Sequence, residues 1–282
     1  MRDTTRADPI VLVIGGFPVL ALEWERGRSL DAYLADALTD PSSFLVISAE
    51  RSLAAEFPTD LQARAVLAAI GADARAHKAI LARTGLPQSS LDRALGALVD
   101  KGVVDRLNPY STKPSPKNRQ YVVADPYLRF WLRFVGPATD VIERGRGELA
   151  IADVQRDWST FRGRAIEPLI RQAIEQALPD RRFGAARHVG AFWNRTSTTE
   201  IDLVGGDTLP QASTIAFAGS IKWRDGQPFR RADAALLATQ LAALPGADAR
   251  TLLVGVSRNG FDPDAALDLR LTPADLVAAY RR

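Results

Sequence analysis

Apolar residues recur at helical spacing in three successive runs in the middle of the chain. The first run covers residues 61–70 and stops at Gly71, and the second covers 74–83 and stops at Gly85. Gln88 and the two serines after it then precede leucines at every third or fourth position. A polar cap before a periodic run and a glycine after it are ordinary helix boundaries. The pattern therefore predicts three short helices in a row.

Two β-branched runs follow these helices, at residues 103–104 and 121–123, and a proline-rich loop over 108–120 separates them. Strand-forming runs on either side of a turn-rich segment indicate a β-hairpin. The loop carries three cationic side chains: Lys113, Lys117 and Arg119. Three helices followed by a hairpin with a basic loop form the layout of a winged helix. We therefore predict a winged-helix domain over residues 59–134, which includes an aromatic linker helix.

The winged-helix layout implies a way of binding duplex DNA. In such modules the third helix enters the major groove, and the loop of the hairpin, the wing, touches phosphates. The candidate contacts are three polar residues of the third helix and the three wing cations: Gln88, Ser89, Arg93, Lys113, Lys117 and Arg119. A winged helix that docks a protein is the alternative, and the pattern leaves it open.

The two ends of the chain have different patterns. At the start, an apolar run at 11–14 is broken by Gly15, and residues 29–38 place apolar side chains on one helical face, so 1–58 predicts a helical segment. After residue 134, helical and strand patterns alternate, which predicts an α/β domain with a central mixed sheet over 135–282. Its predicted helices are 161–178 and 232–243, and its predicted strands are 188–193, 200–204, 214–221 and 251–256. The predicted fold class is thus multidomain α and α/β.

Two of the predicted strands bring chemically competent side chains together. Glu200 and Asp202 are two residues apart on one strand, as are Ser220 and Lys222 on the next, so each pair shares a face of the sheet. Hydrolysis of a phosphodiester needs carboxylates that hold Mg²⁺ against the phosphate and a lysine that offsets the developing charge. These residues are candidates for that chemistry.

Formal charge is distributed unevenly along the chain. Residues 1–58 carry a net charge of −4 and residues 59–134 carry +6, within a chain whose total is +3. A basic module inside a nearly neutral chain indicates an anionic partner, and we expect double-stranded DNA. A solvated basic face explains the same bias, so protein partners or self-association stay open.

Several classes of protein are excluded. The chain has no cysteine and two histidines, which leaves no disulfide and little for a zinc centre. It has neither a signal-peptide pattern nor an apolar run of roughly 20 residues, so we expect no membrane association and a cytoplasmic location. No Gly-Lys-Ser or Gly-Lys-Thr occurs, so this chain should bind no nucleotide and hydrolyse no ATP.

Several segments resemble the C-terminal part of archaeal-type AAA-like ATPases. Gly15-Gly16-Phe17-Pro18 and the helix after it resemble the helical lid of that family, and DPYLRFW at 125–131 resembles the signature that follows its winged helix. FRGRAIE at 161–167 and VGAFW at 189–193 fit its last domain, which is restriction-endonuclease-like, of the PD-(D/E)XK type. The resemblance covers nearly the whole chain. Either the chain is a truncated relative, or the nucleotide-binding portion lies outside it.

The resemblance implies an impaired nuclease site. It assigns Asp202, Glu200 and Glu167 as metal ligands and Lys222 as the catalytic lysine. Related sites carry glutamate where this chain has Ser220, and a neutral hydroxyl is a weaker ligand for Mg²⁺. We therefore expect a DNA-associated binding protein with no certain cofactor. The alternatives are an active Mg²⁺-dependent endonuclease and a protein-interaction scaffold in a larger assembly.

Overall fold

The computed structural model describes residues 7–196 and 198–279, and within them the fold is mixed α/β. The first part is helical, as the sequence predicts, and the last part holds a five-stranded mixed sheet. Within this described part of the chain, no helix combines the length and the apolar character needed to cross a bilayer.

The chain divides into two compact units. The helical unit comprises the described residues of 7–107 and 120–158. The sheet unit comprises 108–119, 159–196 and 198–279. The boundaries between the units differ from those of the predicted division into 1–58, 59–134 and 135–282, which stays a prediction.

Seven helices precede the hairpin in the helical unit. They are α1 (Ala7–Ile14), α2 (Pro18–Glu23), α3 (Leu30–Ala37), α4 (Phe44–Glu56), α5 (Leu61–Gly71), α6 (His77–Thr84) and α7 (Gln88–Asp100). The Ser29 hydroxyl accepts a hydrogen bond from the Ala32 N–H at 3.2 Å and so caps the N-terminus of α3. Gly15 ends α1 at a φ of +57°, a conformation that favours glycine.

The predicted hairpin is present. Strands β1 (Val104–Leu107) and β2 (Gln120–Val123) pair antiparallel, with Leu107 opposite Gln120 at the mouth of the loop. Ala76 forms an additional antiparallel bridge to Gln120. This bridge explains why α6 begins at His77, later than predicted, because the backbone before it is extended along the hairpin.

An aromatic segment follows β2 and is buried. It consists of α8 (Pro126–Phe130), a π-helical turn (Trp131–Val135) and a 3₁₀ turn (Gly136–Ala138). The Tyr127 hydroxyl accepts a hydrogen bond from the Ala49 N–H at 2.9 Å. The aromatic side chains of this segment therefore belong to the core of the helical unit. After it come α9 (Thr139–Glu143) and α10 (Gly147–Ala165).

The sheet unit alternates helices and strands. Its elements after α10 are α11 (Glu167–Ala177), β3 (His188–Trp193), β4 (Glu200–Gly206), β5 (Ile215–Lys222), α12 (Arg231–Leu241), β6 (Leu252–Ser257), β7 (Leu269–Leu271) and α13 (Pro273–Ala279). The strand order is β3-β4-β5-β6-β7, with antiparallel pairs from β3 to β5 and parallel pairs from β5 to β7. The apolar core between the sheet and α12 includes Val204, Ala218 and Leu237.

The helix predicted at 161–178 is two helices in the structure. The first is the end of α10 and the second is α11, which starts at Glu167 with Pro168 in its first turn. Proline has no N–H to donate and clashes with a preceding helical turn, so the break falls here. Most of α10 and all of β7 and α13 were not predicted from the sequence.

The proline-rich loop of the hairpin belongs to the sheet unit. The backbone N–H of Tyr110 donates to Ala191 O of β3 at 2.8 Å, and the Ser111 hydroxyl donates to Pro245 O at 2.7 Å. The Trp193 indole N–H donates to Asn118 O at 2.9 Å. These bonds secure both ends of the loop within the sheet unit.

Candidate functional site

The Asp202 carboxylate lies where the pairing between β4 and β5 stops. Leu203 and Gly219 are the last paired residues at this end of the two strands. Beyond them, Asp202 Oδ2 accepts a hydrogen bond from the Ile221 N–H at 2.7 Å and another from the Ser220 hydroxyl at 3.0 Å. A side chain thus takes the place of a backbone acceptor at the end of the ladder.

Ser220 is the partner of Asp202, and it is nearly buried, with 8% of its surface exposed. Its hydroxyl donates to Asp202, so this hydrogen bond joins the side chains of β5 and β4. Position 220, where the sequence resemblance implies a second acid, therefore carries a hydrogen-bond donor to Asp202.

The two glutamates of the predicted metal site are engaged elsewhere or exposed. Glu167 Oε2 lies 3.6 Å from Arg171 Nη1, one turn away on α11. The same Nη1 donates to the backbone oxygen of Asp202 at 2.9 Å, so Arg171 joins α11 to β4. Glu200 is exposed, and its side chain makes no hydrogen bond or ion pair with any residue that the structure describes.

The positions of Asp202, Glu200 and Glu167 decide whether a divalent cation fits between them. Among residues 7–196 and 198–279, no group of three or more acidic or histidine side chains is arranged to hold a metal ion. Mg²⁺ requires close, near-octahedral oxygen ligands, and one oxygen of Asp202 already accepts two hydrogen bonds. The donor set as it stands does not fit that cation. The assignment of Asp202, Glu200 and Glu167 as ligands stays a prediction, without support from these contacts.

Lys222 ends β5 and is half-buried. Its ammonium makes no ion pair within the described part of the chain, although its charge contributes to a lowered pKa of Asp233 on α12. Burial by itself raises the pKa of Asp233. The Arg230 N–H and the Arg224 guanidinium, which forms a two-pronged ion pair at 3.0 and 3.1 Å, hold that pKa below its usual value.

A second charged network lies past the ends of β5 and β6. The side chain of Arg162 is 3% exposed, and its Nη2 donates to Asp225 Oδ2 at 2.6 Å. Arg258 forms an ion pair with the other oxygen of Asp225. Burial raises the pKa of Asp225, but the hydrogen bonds and charges of both arginines hold it below its usual value. This network was not predicted, although Arg162 lies within the segment 161–167 that carries part of the family resemblance.

The candidate DNA contacts of the third helix have a different environment. Gln88, Ser89 and Arg93 are exposed on α7. Their side chains make no hydrogen bond or ion pair with another residue within the described ranges. Pro87 precedes the helix, and no side chain caps its first turn. Leu91, Leu95 and Leu98 are buried on the apolar face of α7, as predicted.

The wing cations are divided by exposure. Lys113 and Lys117 are exposed and make no ion pair with any described residue. Arg119 is half-buried, and its Nε atom is buried without a hydrogen-bond partner among the residues described. Two of the three cations are therefore available to a partner as they stand.

Comparisons with known proteins show similarity to one family model and to one relative. Residues 131–235 match the family model DUF234, described as archaea bacterial proteins of unknown function. An uncharacterized protein of Methanocaldococcus jannaschii is 23% identical over 194 residues, which cover 68% of this chain and 43% of that protein. The chain thus spans less than half the length of this relative. No solved structure gives a significant match. The chain is similar to proteins without an assigned function.

Proposed function

We propose that this chain is a DNA-associated binding protein whose helical unit contains a winged helix. The order and pairing of the elements support this fold. The helices α5, α6 and α7 are followed by the β1-β2 hairpin, and Ala76, just before α6, bridges to Gln120 of β2. Three helices followed by a two-stranded hairpin, with a β-bridge from the segment between the first two helices, are consistent with the winged-helix arrangement.

The exposed polar surface of α7 is the observation that carries the DNA-binding proposal. Gln88 and Ser89 occupy the first turn, and Arg93 follows one turn later. Recognition helices present their N-terminal residues to base edges, and an uncapped first turn offers N–H groups to phosphate. Amide and guanidinium groups without internal partners are free to make such contacts.

We further propose that the sheet unit is an impaired PD-(D/E)XK-like domain. The succession α11, β3, β4, β5, α12, β6 supports this proposal, with Glu167 at the start of α11, Asp202 on β4, and Ser220 and Lys222 on β5. The hydrogen bond from Ser220 to Asp202 favours a domain that binds over one that cuts, because it occupies the carboxylate that a metal ion would need.

The decisive experiment measures the affinity of the full chain for duplex DNA as a function of salt. We expect the double variant Gln88→Ala/Arg93→Ala to bind DNA at least about tenfold more weakly, because it removes two polar contacts to DNA. The salt slope should fall by about 1, because one of the two lost side chains is a cation. Arg51→Ala is the matched control, since Arg51 is exposed on α4 and makes no ion pair with a described residue.

Two outcomes would contradict the proposal. Equal affinity of the double variant and the control, or no salt-dependent binding at all, would favour a protein-interaction scaffold. Cleavage of plasmid by the purified chain in Mg²⁺ buffer, lost in Asp202→Ala, would instead establish the endonuclease.

A further inference from the structure

Two arginines converge on one carboxylate past the carboxyl ends of the parallel strands β5 and β6. Arg162 of α10 donates through Nη2 to Asp225 Oδ2 at 2.6 Å, and Arg258 forms an ion pair with Oδ1 of the same carboxylate. All three residues belong to the sheet unit. Open α/β sheets commonly bind their ligands beyond the carboxyl ends of parallel strands. Arg162 and Arg258, called here the arginine clamp, thus hold an oxyanion at a place suited to a ligand.

The clamp is buried, whereas the carboxylate that it holds faces solvent. The side chains of Arg162 and Arg258 are 3% and 15% exposed, and that of Asp225 is 57% exposed. Asp225 begins an exposed turn with Gly226, which has a φ of +65°, and Gln227. Asp225 therefore covers the clamp from the side on which an anion from solvent would arrive.

One donor of the clamp has no acceptor. The Nε atom of Arg162 is buried and makes no hydrogen bond with any residue that the structure describes. Nε and Nη2 donate from the same edge of the planar guanidinium, and one oxyanion can accept from both. Asp225 gives one oxygen to each arginine, so this Nε stays unsatisfied. Buried donors normally have an acceptor, and a phosphate group offers more oxygens than a carboxylate does.

The charge of the neighbouring chain favours an anion. Residues 222–231 carry four cationic side chains, and Asp225 is the only acid among them. Clustered cations raise the local concentration of anionic ligands. The segment that carries Asp225 therefore suits a phosphate group better than a metal cation.

We propose that the arginine clamp binds a phosphate group and that Asp225 competes with it for the two guanidinium groups. The phosphate displaces the carboxylate into solvent, accepts the hydrogen bonds that Asp225 accepted, and also accepts from Nε of Arg162. Arginine suits this role because its planar fork donates parallel N–H bonds to phosphate oxygens. The phosphate belongs to a free ligand or to a DNA backbone, and the site is separate from the contacts proposed for α7.

The test is a calorimetric titration of the full chain with inorganic phosphate, at an ionic strength held constant with chloride. Asp225→Asn removes the competing charge, so we expect it to bind phosphate about tenfold more tightly than wild type does. Asp248→Asn is the matched control, because Asp248 pairs with an exposed arginine of the same unit, Arg250, at 3.0 Å. This control should bind phosphate as wild type does.

A second pair of variants tests the clamp itself. Arg258→Gln should weaken phosphate binding about tenfold, and Arg250→Gln should leave it unchanged. Arg258→Gln keeps the pair between Arg162 and Asp225, so its comparison with wild type carries the test if Asp225→Asn does not fold. Equal phosphate affinity of Asp225→Asn and Asp248→Asn, or of wild type and Arg258→Gln, would overturn the proposal.

Duplex DNA distinguishes the two sources of phosphate once the clamp is shown to bind it. A rise in DNA affinity in Asp225→Asn that exceeds the rise in Asp248→Asn identifies the DNA backbone, and equal DNA affinities identify a free ligand. The phosphate titration contains no DNA, so its failure would leave the DNA binding proposed for α7 untouched.

Discussion

The exposed face of α7 and the junction of β4 with β5 both carry polar residues that the sequence marks as candidates, but they bond differently. On α7, the side chains of Gln88 and Arg93 make no hydrogen bond or ion pair with another residue of the described chain. At the junction, Asp202 accepts from Ser220 and Ile221. The first set is available to a partner, and the second holds two strands together.

This difference separates two consequences of a substitution. Removing a partner from a buried hydrogen-bonded group leaves the other group unsatisfied and lowers stability. Removing an exposed group without internal bonds leaves stability almost unchanged and affects only binding. We therefore expect stability and DNA affinity to respond to different residues, and the following changes test that separation.

The largest effect is expected for Asp202→Ala. The variant leaves the Ile221 N–H and the Ser220 hydroxyl without an acceptor, so the free energy of unfolding should fall by about 2–3 kcal/mol. Urea unfolding measures this change. Glu200→Ala, the control on the same strand, should change it by less than about 0.5 kcal/mol, because Glu200 is exposed and unbonded. If Asp202→Ala lowers DNA affinity more than Gln88→Ala/Arg93→Ala does, stability and DNA affinity do not depend on separate residues.

The second effect is expected when a second acid is introduced with Ser220→Glu. A second carboxylate beside Asp202 should destabilise the chain in chelator, because like charges repel and the Ser220 hydrogen bond is lost. Mg²⁺ should recover about 1 kcal/mol, seen as a rise of roughly 2–4 °C in the unfolding temperature. Wild type and Ser220→Ala should show no such rise. A Mg²⁺ response in wild type would mean that the site still holds the cation.

A smaller effect is expected for the two exposed wing lysines. Lys113→Ala and Lys117→Ala should each lower DNA affinity a few-fold and reduce the salt slope by about 1, because each removes one phosphate contact. Lys101→Ala provides the matched control, since its ammonium already bonds Glu56 at 2.8 Å. If Lys101→Ala weakens binding as much as the wing variants do, internal bonding does not decide which cations contact DNA.

The smallest effect is a pH dependence from Asp225. Because its pKa in the folded chain is lowered below 3.8, its stabilising contribution is present above that pH and is lost as pH falls through the folded value. Urea unfolding at pH 7 and pH 3 should show less acid destabilisation in Asp225→Asn than in wild type. Asp264→Asn, which changes an exposed side chain without an internal bond, should behave as wild type. Identical pH profiles for all three proteins would contradict the assigned role of the arginines.

Most individual elements could be predicted because their signals are local. The leucines of α7 recur at helical spacing, and the largely apolar segments of β4 and β5 are mostly buried strands. Short elements escaped prediction. The strand β7 has three residues, and its burial depends on pairing with β6, so no periodicity marks it. The break at Pro168 was visible in the sequence and was overlooked.

The candidate site was predictable as a set of residues and not as a set of bonds. Spacing placed Asp202, Ser220 and Lys222 on neighbouring strands, as the structure does. Whether the Asp202 carboxylate turns to a metal ion or to the Ile221 N–H depends on where the ladder ends, and that depends on the register of two strands. Arg171, four residues after Glu167, could have been found as a helical i,i+4 pair.

What the sequence determined by itself is most of the succession of helices and strands, the basic middle of the chain and the absence of a phosphate-binding loop, because these follow from periodicity, charge and short motifs. The tertiary structure decided which polar groups have internal partners. It also grouped the hairpin loop with the sheet, through the hydrogen bond from Ser111 to Pro245 at 2.7 Å across 134 residues of sequence. Such contacts depend on how distant segments pack, and no local pattern encodes them.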